Sequence, residues 1–84
     1  MVPLLLFGER LLLERKKYHL SAHQLAQKCG ISRSYLTLIE INKRHPSRKL
    51  IPKIAQAFHL PTHVVLNWYL EDIRIKLEKE LKTA

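Results

Sequence analysis

The chain has 84 residues, 15 of them Lys or Arg and 7 Asp or Glu, which gives a formal net charge of +8. This length fits one small domain with a core that is marginal for its size. A single cysteine excludes an internal disulfide framework, and no stretch approaches the roughly 20 apolar residues that a membrane-spanning helix needs. The apolar run Val2 to Phe7 is short, with no basic residues before it and no cleavage-like site after it. We therefore expect no signal peptide and a location in the reducing cytoplasm.

The positive charge is unevenly distributed along the sequence. Residues 1–60 contain 11 basic and 3 acidic residues, whereas residues 61–84 contain 4 of each. The whole excess lies in the first part of the chain, and a concentrated basic surface is typical of a protein that binds a polyanion. The alternative is a solvated surface that only aids solubility.

The first predicted helix runs from Leu4 or Phe7 to Lys17. Its expected core residues are Leu11, together with Leu12 or Leu13. Leu20 then enters the core from the connection that follows.

Two further helices joined by a tight turn are predicted next. Ser21 is a good N-cap for a helix over about Ala22 to Cys29, and Ser32 caps another that extends to about Ile41. Gly30 lies between them, where a positive φ is usual and glycine has no Cβ to clash.

The apolar positions of residues 22–41 share one register. They are Leu25, Cys29, Ile31, Leu36 and Ile39. Ala26 is small enough to let the two helices approach closely where they cross. Cys29 is expected to be a small buried hydrophobe, with a reactive thiol as the alternative. The spacing is that of a helix-turn-helix unit, which most often holds a short helix in the major groove of DNA.

A basic loop and a fourth helix follow. Asn42 suits the positive φ of a helix end, and residues 43–47 form the loop, in which Pro46 disfavours helix in the residue before it. The fourth helix is predicted from about Leu50 to His59. Pro52 belongs in its first turn, because an interior proline would cost about 3 kcal/mol.

The last predicted helix begins near Thr62, and no stop signal follows. Val65 or Leu66, with Trp68 or Tyr69, should close the core. A seam with coiled-coil spacing consists of Leu66, Leu70, Ile73 and Leu77. It predicts a dimer contact along residues 66–81; the alternative is that its first two leucines pack on the domain and the remainder frays.

At these positions the sequence resembles the Cro/C1-type helix-turn-helix family, also called the XRE family, over about residues 7–68. The matching residues are Leu20-Ser21, Gln24-Leu25-Ala26, Gly30-Ile31-Ser32, Ile39-Glu40, Lys43-Arg44, Pro46-Ser47, Ile54-Ala55, Phe58 and Leu60. The resemblance implies an all-α, five-helix lambda-repressor-like fold and frequent dimerisation, in regulators of prokaryotic or phage transcription. We therefore expect a helix-turn-helix domain over residues 1–69 and a helical extension over residues 70–84.

Four positions depart from the family pattern. The family usually has glycine where this chain has His19 and Asn42, and leucine where it has Glu14. The last difference implies either a longer corner between the first two helices or a partly buried Glu14 near a basic group. Ala22 stands where the family often has a glutamine that braces the recognition helix and a phosphate, so this brace is missing.

In the family, the N-terminus of the third helix lies against base edges. The implied base-contacting residues are Ser32, Arg33, Ser34, Thr37 and Leu38. Arg33 can bind guanine O6 and N7 as a bidentate pair worth about 1–3 kcal/mol, the alternatives being a phosphate contact or a solvated side chain. Leu38 is an exposed leucine that needs cover, either from a thymine methyl or from a protein partner.

A second group of residues is expected to contact phosphates, which positions the domain without reading sequence. It comprises Ser21, His23, Tyr35, Lys43, Arg44 and Arg48. Because the cationic members would release counterions, binding should weaken steeply as the salt concentration rises.

These observations favour a sequence-specific double-stranded DNA-binding regulator, a repressor that binds a palindromic operator as a homodimer. The alternative is an antitoxin-like protein that mainly binds a partner protein and uses DNA binding for autoregulation. Single-stranded RNA binding is weaker, because Trp68 and Tyr69 lie away from the basic part and form no stacking platform. We expect no enzyme, no cofactor and no metal, since the five histidines match no zinc pattern and no catalytic constellation is present.

Overall fold

The computed structural model describes residues 5–83, which form five α-helices and no strand within that range. The helices are α1 (Phe7–Lys17), α2 (Ala22–Cys29), α3 (Arg33–Glu40), α4 (Leu50–Ala57) and α5 (Thr62–Thr83). The all-α, five-helix class is confirmed, with helix boundaries close to the predicted ones. The alternative start at Leu4 lies outside the described residues, as does the beginning of the apolar run from Val2. None of the described helices is long and apolar enough to cross a membrane.

The predicted caps delimit α2 and α3. The Ser21 hydroxyl accepts the Gln24 N–H at 3.0 Å, and the Ser32 hydroxyl accepts the Tyr35 N–H at 3.0 Å. Gly30 has a φ of 68°, the left-handed conformation that ends α2. Each cap satisfies backbone groups that the helix leaves unpaired, so these boundaries follow from local chemistry.

Three other helices end on a residue with positive φ that is not glycine. His19 (φ 56°) follows α1, Asn42 (φ 62°) follows α3 and His59 (φ 55°) follows α4. Asn and His adopt this conformation more readily than most residues, so the two departures from family glycines preserve the turns. The fourth helix was predicted to reach His59, but it ends at Ala57, because the left-handed turn at His59 stops it.

A single core lies where all five helices meet. Its buried apolar residues are Phe7, Leu11, Leu25, Ala26, Cys29, Leu36, Ile39, Leu50, Ile51, Ile54, Ala55, Phe58 and Val65. The structure resolves the alternatives that periodicity left open: Leu12 is half-buried while Leu13 is 53 % exposed, and Val65 is buried while Leu66 is 40 % exposed. Trp68 and Tyr69 both pack against the core, where each ring meets the Phe7 ring edge to face.

Gly8 allows α1 to contact the end of α3. A Cβ atom on Gly8 would overlap the backbone carbonyl oxygens of Ile39 and Glu40. The Gly8 N–H instead donates to the Asn42 side-chain oxygen at 3.0 Å. The close approach therefore depends on the missing side chain.

The structure also decides between the two explanations for Glu14. Glu14 is 8 % exposed and lies 3.4 Å from the Arg10 guanidinium, which itself sits over the Trp68 ring. A partly buried carboxylate near a basic group, rather than a longer corner, accommodates this departure from the family pattern.

Candidate nucleic-acid interface

The corner between α2 and α3 fixes the direction of α3. Ala26 is buried at the crossing, and its carbonyl accepts the Ile31 N–H at 3.0 Å beyond the turn. Leu36 and Ile39 are buried, so one face of α3 packs against the core. The opposite face must therefore point to solvent.

The five residues predicted to contact bases all lie on that exposed face. They are Ser32, Arg33, Ser34, Thr37 and Leu38. The last four line one shallow surface depression of about 340 Å³. The structure thus brings together a guanidinium, hydroxyls and an apolar side chain, the groups that can read base edges. Their contacts with DNA remain a prediction.

The residues predicted to contact phosphates differ in exposure. Five are exposed: Ser21, His23, Lys43, Arg44 and Arg48. Tyr35 is half-buried against the core, and its hydroxyl lies 3.5 Å from the carbonyl oxygen of His45. The Tyr35 hydroxyl therefore has an internal acceptor, whereas Ser21 uses a lone pair for capping and keeps its own proton to donate.

All three carboxylates of residues 1–60 are occupied by internal contacts. Glu9 accepts the Leu6 N–H at 3.1 Å, Glu14 pairs with Arg10, and Glu40 lies 2.7 Å from Arg15. The nine remaining basic side chains of this part are all exposed: Lys16, Lys17, Lys28, Arg33, Lys43, Arg44, Arg48, Lys49 and Lys53. With two arginines and two glutamates paired internally, the whole positive excess of this part lies on exposed side chains.

The Arg15–Glu40 pair was not singled out from the sequence. The two Arg15 nitrogens Nε and Nη2 donate to the two Glu40 oxygens at 2.7 and 3.2 Å, and Nη1 donates to the Leu20 carbonyl at 3.0 Å. This bidentate pair joins α1, the first corner and the end of α3. A glutamate directly after the buried Ile39 was the available signal, since a carboxylate at such a position needs a partner.

The loop after α3 is fixed to that helix. The N–H groups of Lys43 and Arg44 both donate to the Leu38 carbonyl, at 2.9 and 3.2 Å, and Pro46 is buried. The side chains of Lys43 and Arg44 are exposed. The loop thus presents two cations next to the exposed face of α3, from a backbone that is hydrogen-bonded to that helix.

Cys29 behaves as the predicted buried hydrophobe. It lies in the core, and burial raises the pKa of its thiol, an effect that the nearby Lys53 ammonium partly opposes. A raised pKa disfavours the reactive thiolate. Among the described residues, no three His, Cys, Asp or Glu side chains are grouped closely enough to hold a metal ion.

The seam predicted on α5 lies at the surface. Leu66, Leu70 and Leu77 are exposed, and Ile73 is half-buried. Arg48, Ile51 and Pro52 join the first two leucines around an open apolar groove of about 310 Å³ between α4 and α5. A dimer contact at this seam remains a prediction.

Comparison with known proteins identifies the family. A family model described as helix-turn-helix matches residues 11–65. The chain is 33 % identical over 63 residues to the HTH-type transcriptional regulator SinR of Bacillus licheniformis. The matched segment covers 74 % of this chain and 57 % of SinR. The chain therefore spans little more than half the length of that relative. SinR is described as a transcriptional regulator, which agrees with the expectation that this chain is not an enzyme.

Two solved structures resemble the fold and share appreciable sequence identity. One is SinR, described as the master regulator for biofilm formation, in complex with DNA, with a TM-score of 0.66 and 32 % identity over 73 % of this chain and 98 % of that chain. The other is a complex of the SinR and SinI proteins, with a TM-score of 0.67 and 29 % identity over 92 % of this chain and 76 % of that chain. With the matched residues, the two N-capped helices and the buried face of α3, these likenesses show that the chain belongs to the Cro/C1-type helix-turn-helix family.

Proposed function

We propose that this chain is a sequence-specific double-stranded DNA-binding regulator of transcription in the cytoplasm, and that it represses by binding a palindromic operator as a homodimer. The observation that carries the proposal is the exposed face of α3, next to a loop that presents two cations. The SinR complex with DNA supports it, because SinR has a similar fold and 32 % of its aligned residues are identical to those of this chain.

In this proposal α3 enters the major groove with its N-terminus first. Arg33 donates two hydrogen bonds to guanine, Ser32 and Ser34 reach base edges more weakly, and the methyl groups of Thr37 and Leu38 contact thymine methyls. The depression that four of these side chains line offers a continuous surface for adjacent base pairs.

Phosphates on either side of the groove would be bound by a second set of residues. Ser21 and His23 act at the start of α2, where free N–H groups and the helix dipole also favour an anion. Lys43 and Arg44 act from the loop, and Arg48 acts from just before α4. Tyr35 would contact a phosphate through its hydroxyl by exchanging the His45 carbonyl for a phosphate oxygen as the acceptor. Glu14 and Glu40 are buried beside arginines, so Glu9 is the one exposed carboxylate of residues 5–60 against nine exposed cations.

We further propose that residues 1–69 act as the DNA-binding domain and residues 70–84 as a helical extension that contacts a second copy. The contact would involve Leu66, Leu70, Ile73 and Leu77. Residues 61–84 carry no net charge, so two copies of α5 can approach without the repulsion that the rest of the chain would impose. A two-fold dimer would match a palindromic operator.

Fluorescence anisotropy tests the proposal. Duplexes from the region upstream of the chain's own gene are compared with scrambled duplexes of the same length and base composition, at physiological salt. We expect the protein to bind one upstream duplex at least about a thousandfold more tightly than its scrambled counterpart. Equal affinities for all duplexes would rule out specific readout.

A second candidate is an antitoxin-like protein whose main ligand is another protein. The observation that favours it is the likeness to SinR in its complex with SinI, together with the exposed leucines of α5 and the exposed Leu38. Purification from the native host decides between the two: a stoichiometric second small protein from the same operon supports the partner, and an isolated homodimer supports the first proposal.

A further inference from the structure

A chain of polar contacts joins α5 to the loop that follows α3. Asp72 on α5 is only 2 % exposed; its Oδ2 accepts the Phe7 N–H at 2.7 Å, and its Oδ1 lies 2.9 Å from Lys76 Nζ. Lys76 Nζ lies in turn 2.9 Å from His45 Nε2. The His45 carbonyl faces the Tyr35 hydroxyl. The contacts therefore run from the start of α1 through α5 to the loop and to α3.

The Lys76 ammonium lies between a carboxylate and an imidazole. An ammonium has donors and no acceptor, so in this contact Lys76 donates to His45 Nε2. On its other side the ammonium forms an ion pair with the buried Asp72 carboxylate. The Tyr69 ring meets the His45 ring edge to face and adds no charge. Lys76 therefore links the buried Asp72 carboxylate to the imidazole of His45.

His45 lies directly beside the two cations assigned to phosphates. Both of their N–H groups donate to α3, and the following Pro46 is buried, so His45 completes the attachment of the loop on the side of α5. A loop that is ordered before binding loses less conformational entropy when its side chains contact a ligand. Contacts that hold His45 should therefore increase affinity without reaching the ligand.

We infer that Lys76 is a positioning residue for DNA binding. Held by Asp72, it fixes His45 and through it the backbone of Lys43 and Arg44, while making no contact with DNA itself. This inference rests on the proposed function, because the loop cations are assigned to phosphates there. The C-terminal half of α5 would then affect DNA affinity through the loop, separately from any dimer contact.

A matched pair of variants tests the inference. Lys76→Met and Lys82→Met each remove one positive charge from the same helix, but Lys82 lies near its end and away from the loop. We expect Lys76→Met to weaken binding to one duplex about five- to tenfold, as for the loss of one ordinary hydrogen bond, and Lys82→Met to change it less than about twofold. Equal effects would overturn the inference, whereas failure of the wild-type protein to prefer any duplex would refute the proposed function instead.

A double-mutant cycle separates positioning from general stabilisation. If Lys76 acts through His45, the double variant Lys76→Met/His45→Ala should bind no more weakly than the weaker single variant. Lys76→Arg should restore affinity, because a guanidinium can donate to both neighbours. Additive losses, or a Lys76→Arg variant as weak as Lys76→Met, would contradict the inference even if every variant melts at a lower temperature.

Discussion

Residues 5–60 and helix α5 distribute their charges in different ways. In the first region two of the three carboxylates are buried beside arginines, and nine other cations are exposed on the surface. On α5 the surface charges pair with one another: Arg74 contacts both Glu71 and Glu78, and hydrogen bonding from Arg74 lowers the pKa of the Glu71 carboxyl. The large apolar residues exposed on α5 are leucines: Leu66, Leu70, Leu77 and Leu81. One surface therefore suits a polyanion and the other suits an apolar partner.

The largest expected difference between the two regions is in the stability lost when an ion pair is broken. Arg15→Met should lower the free energy of unfolding by about 3–5 kcal/mol, because it leaves the buried Glu40 carboxylate without its partner. Arg74→Met removes an arginine from an exposed network on α5 and should leave stability near the wild-type value. Urea denaturation followed by circular dichroism measures both. Similar losses for the two variants would show that the buried and exposed pairs are equivalent.

Close packing in the first region gives the next largest effect. Gly8→Ala should lower the free energy of unfolding by about 1–3 kcal/mol, since the added methyl group overlaps backbone carbonyls that cannot move independently. The gain in helix propensity from alanine, about 1 kcal/mol, offsets only part of this. Thermal denaturation is the measurement, and an unchanged or higher melting temperature would show that α1 can shift away from α3.

On the basic surface, two variants should separate base reading from phosphate contact. Arg33→Ala should reduce the preference for the operator over a variant duplex by about 1–3 kcal/mol, whereas Lys43→Ala should weaken all duplexes alike. Lys43→Ala should also reduce the salt slope by about one. Anisotropy titrations on both duplexes at several salt concentrations provide the data. A uniform loss with Arg33→Ala would assign that side chain to a phosphate.

The apolar surface of α5 gives the smallest expected change in folding and a clear change in assembly. Leu77→Glu should shift a dimer towards monomers, because it introduces like charges where two leucines would meet, with little change in the melting temperature. Leu13→Glu on α1 is the matched control, since Leu13 is about equally exposed. Sedimentation equilibrium distinguishes the two. The same oligomeric state for both variants would place the dimer contact elsewhere.

Local signals in the sequence are sufficient to predict most of the fold. The serine caps and Gly30 set the ends of α2 and α3, and the apolar spacing of Leu36 and Ile39 identified which face of α3 is exposed. Each of these features depends on residues a few positions apart. Prediction from one sequence is strongest for such features, because the backbone geometry relates near neighbours directly.

The contacts that were missed join residues far apart in the chain. Asp72 looked like one of several charged residues beside a leucine seam, yet it is buried against the N–H of Phe7. The choice between Val65 and Leu66 also depended on how α5 rotates against α4. Such pairings depend on how helices pack rather than on spacing within one helix, so periodicity alone left them undetermined.

The carboxylate of Asp72 serves as a cap for a helix that begins 65 positions earlier in the chain. This arrangement has a practical consequence for anyone shortening the protein. A fragment that stops at residue 70 would contain every helix-turn-helix element and still lack the group that satisfies the first amide of α1. Its opening helix should fray and become sensitive to proteases, so fusions and truncations are better made beyond the turn that contains Lys76.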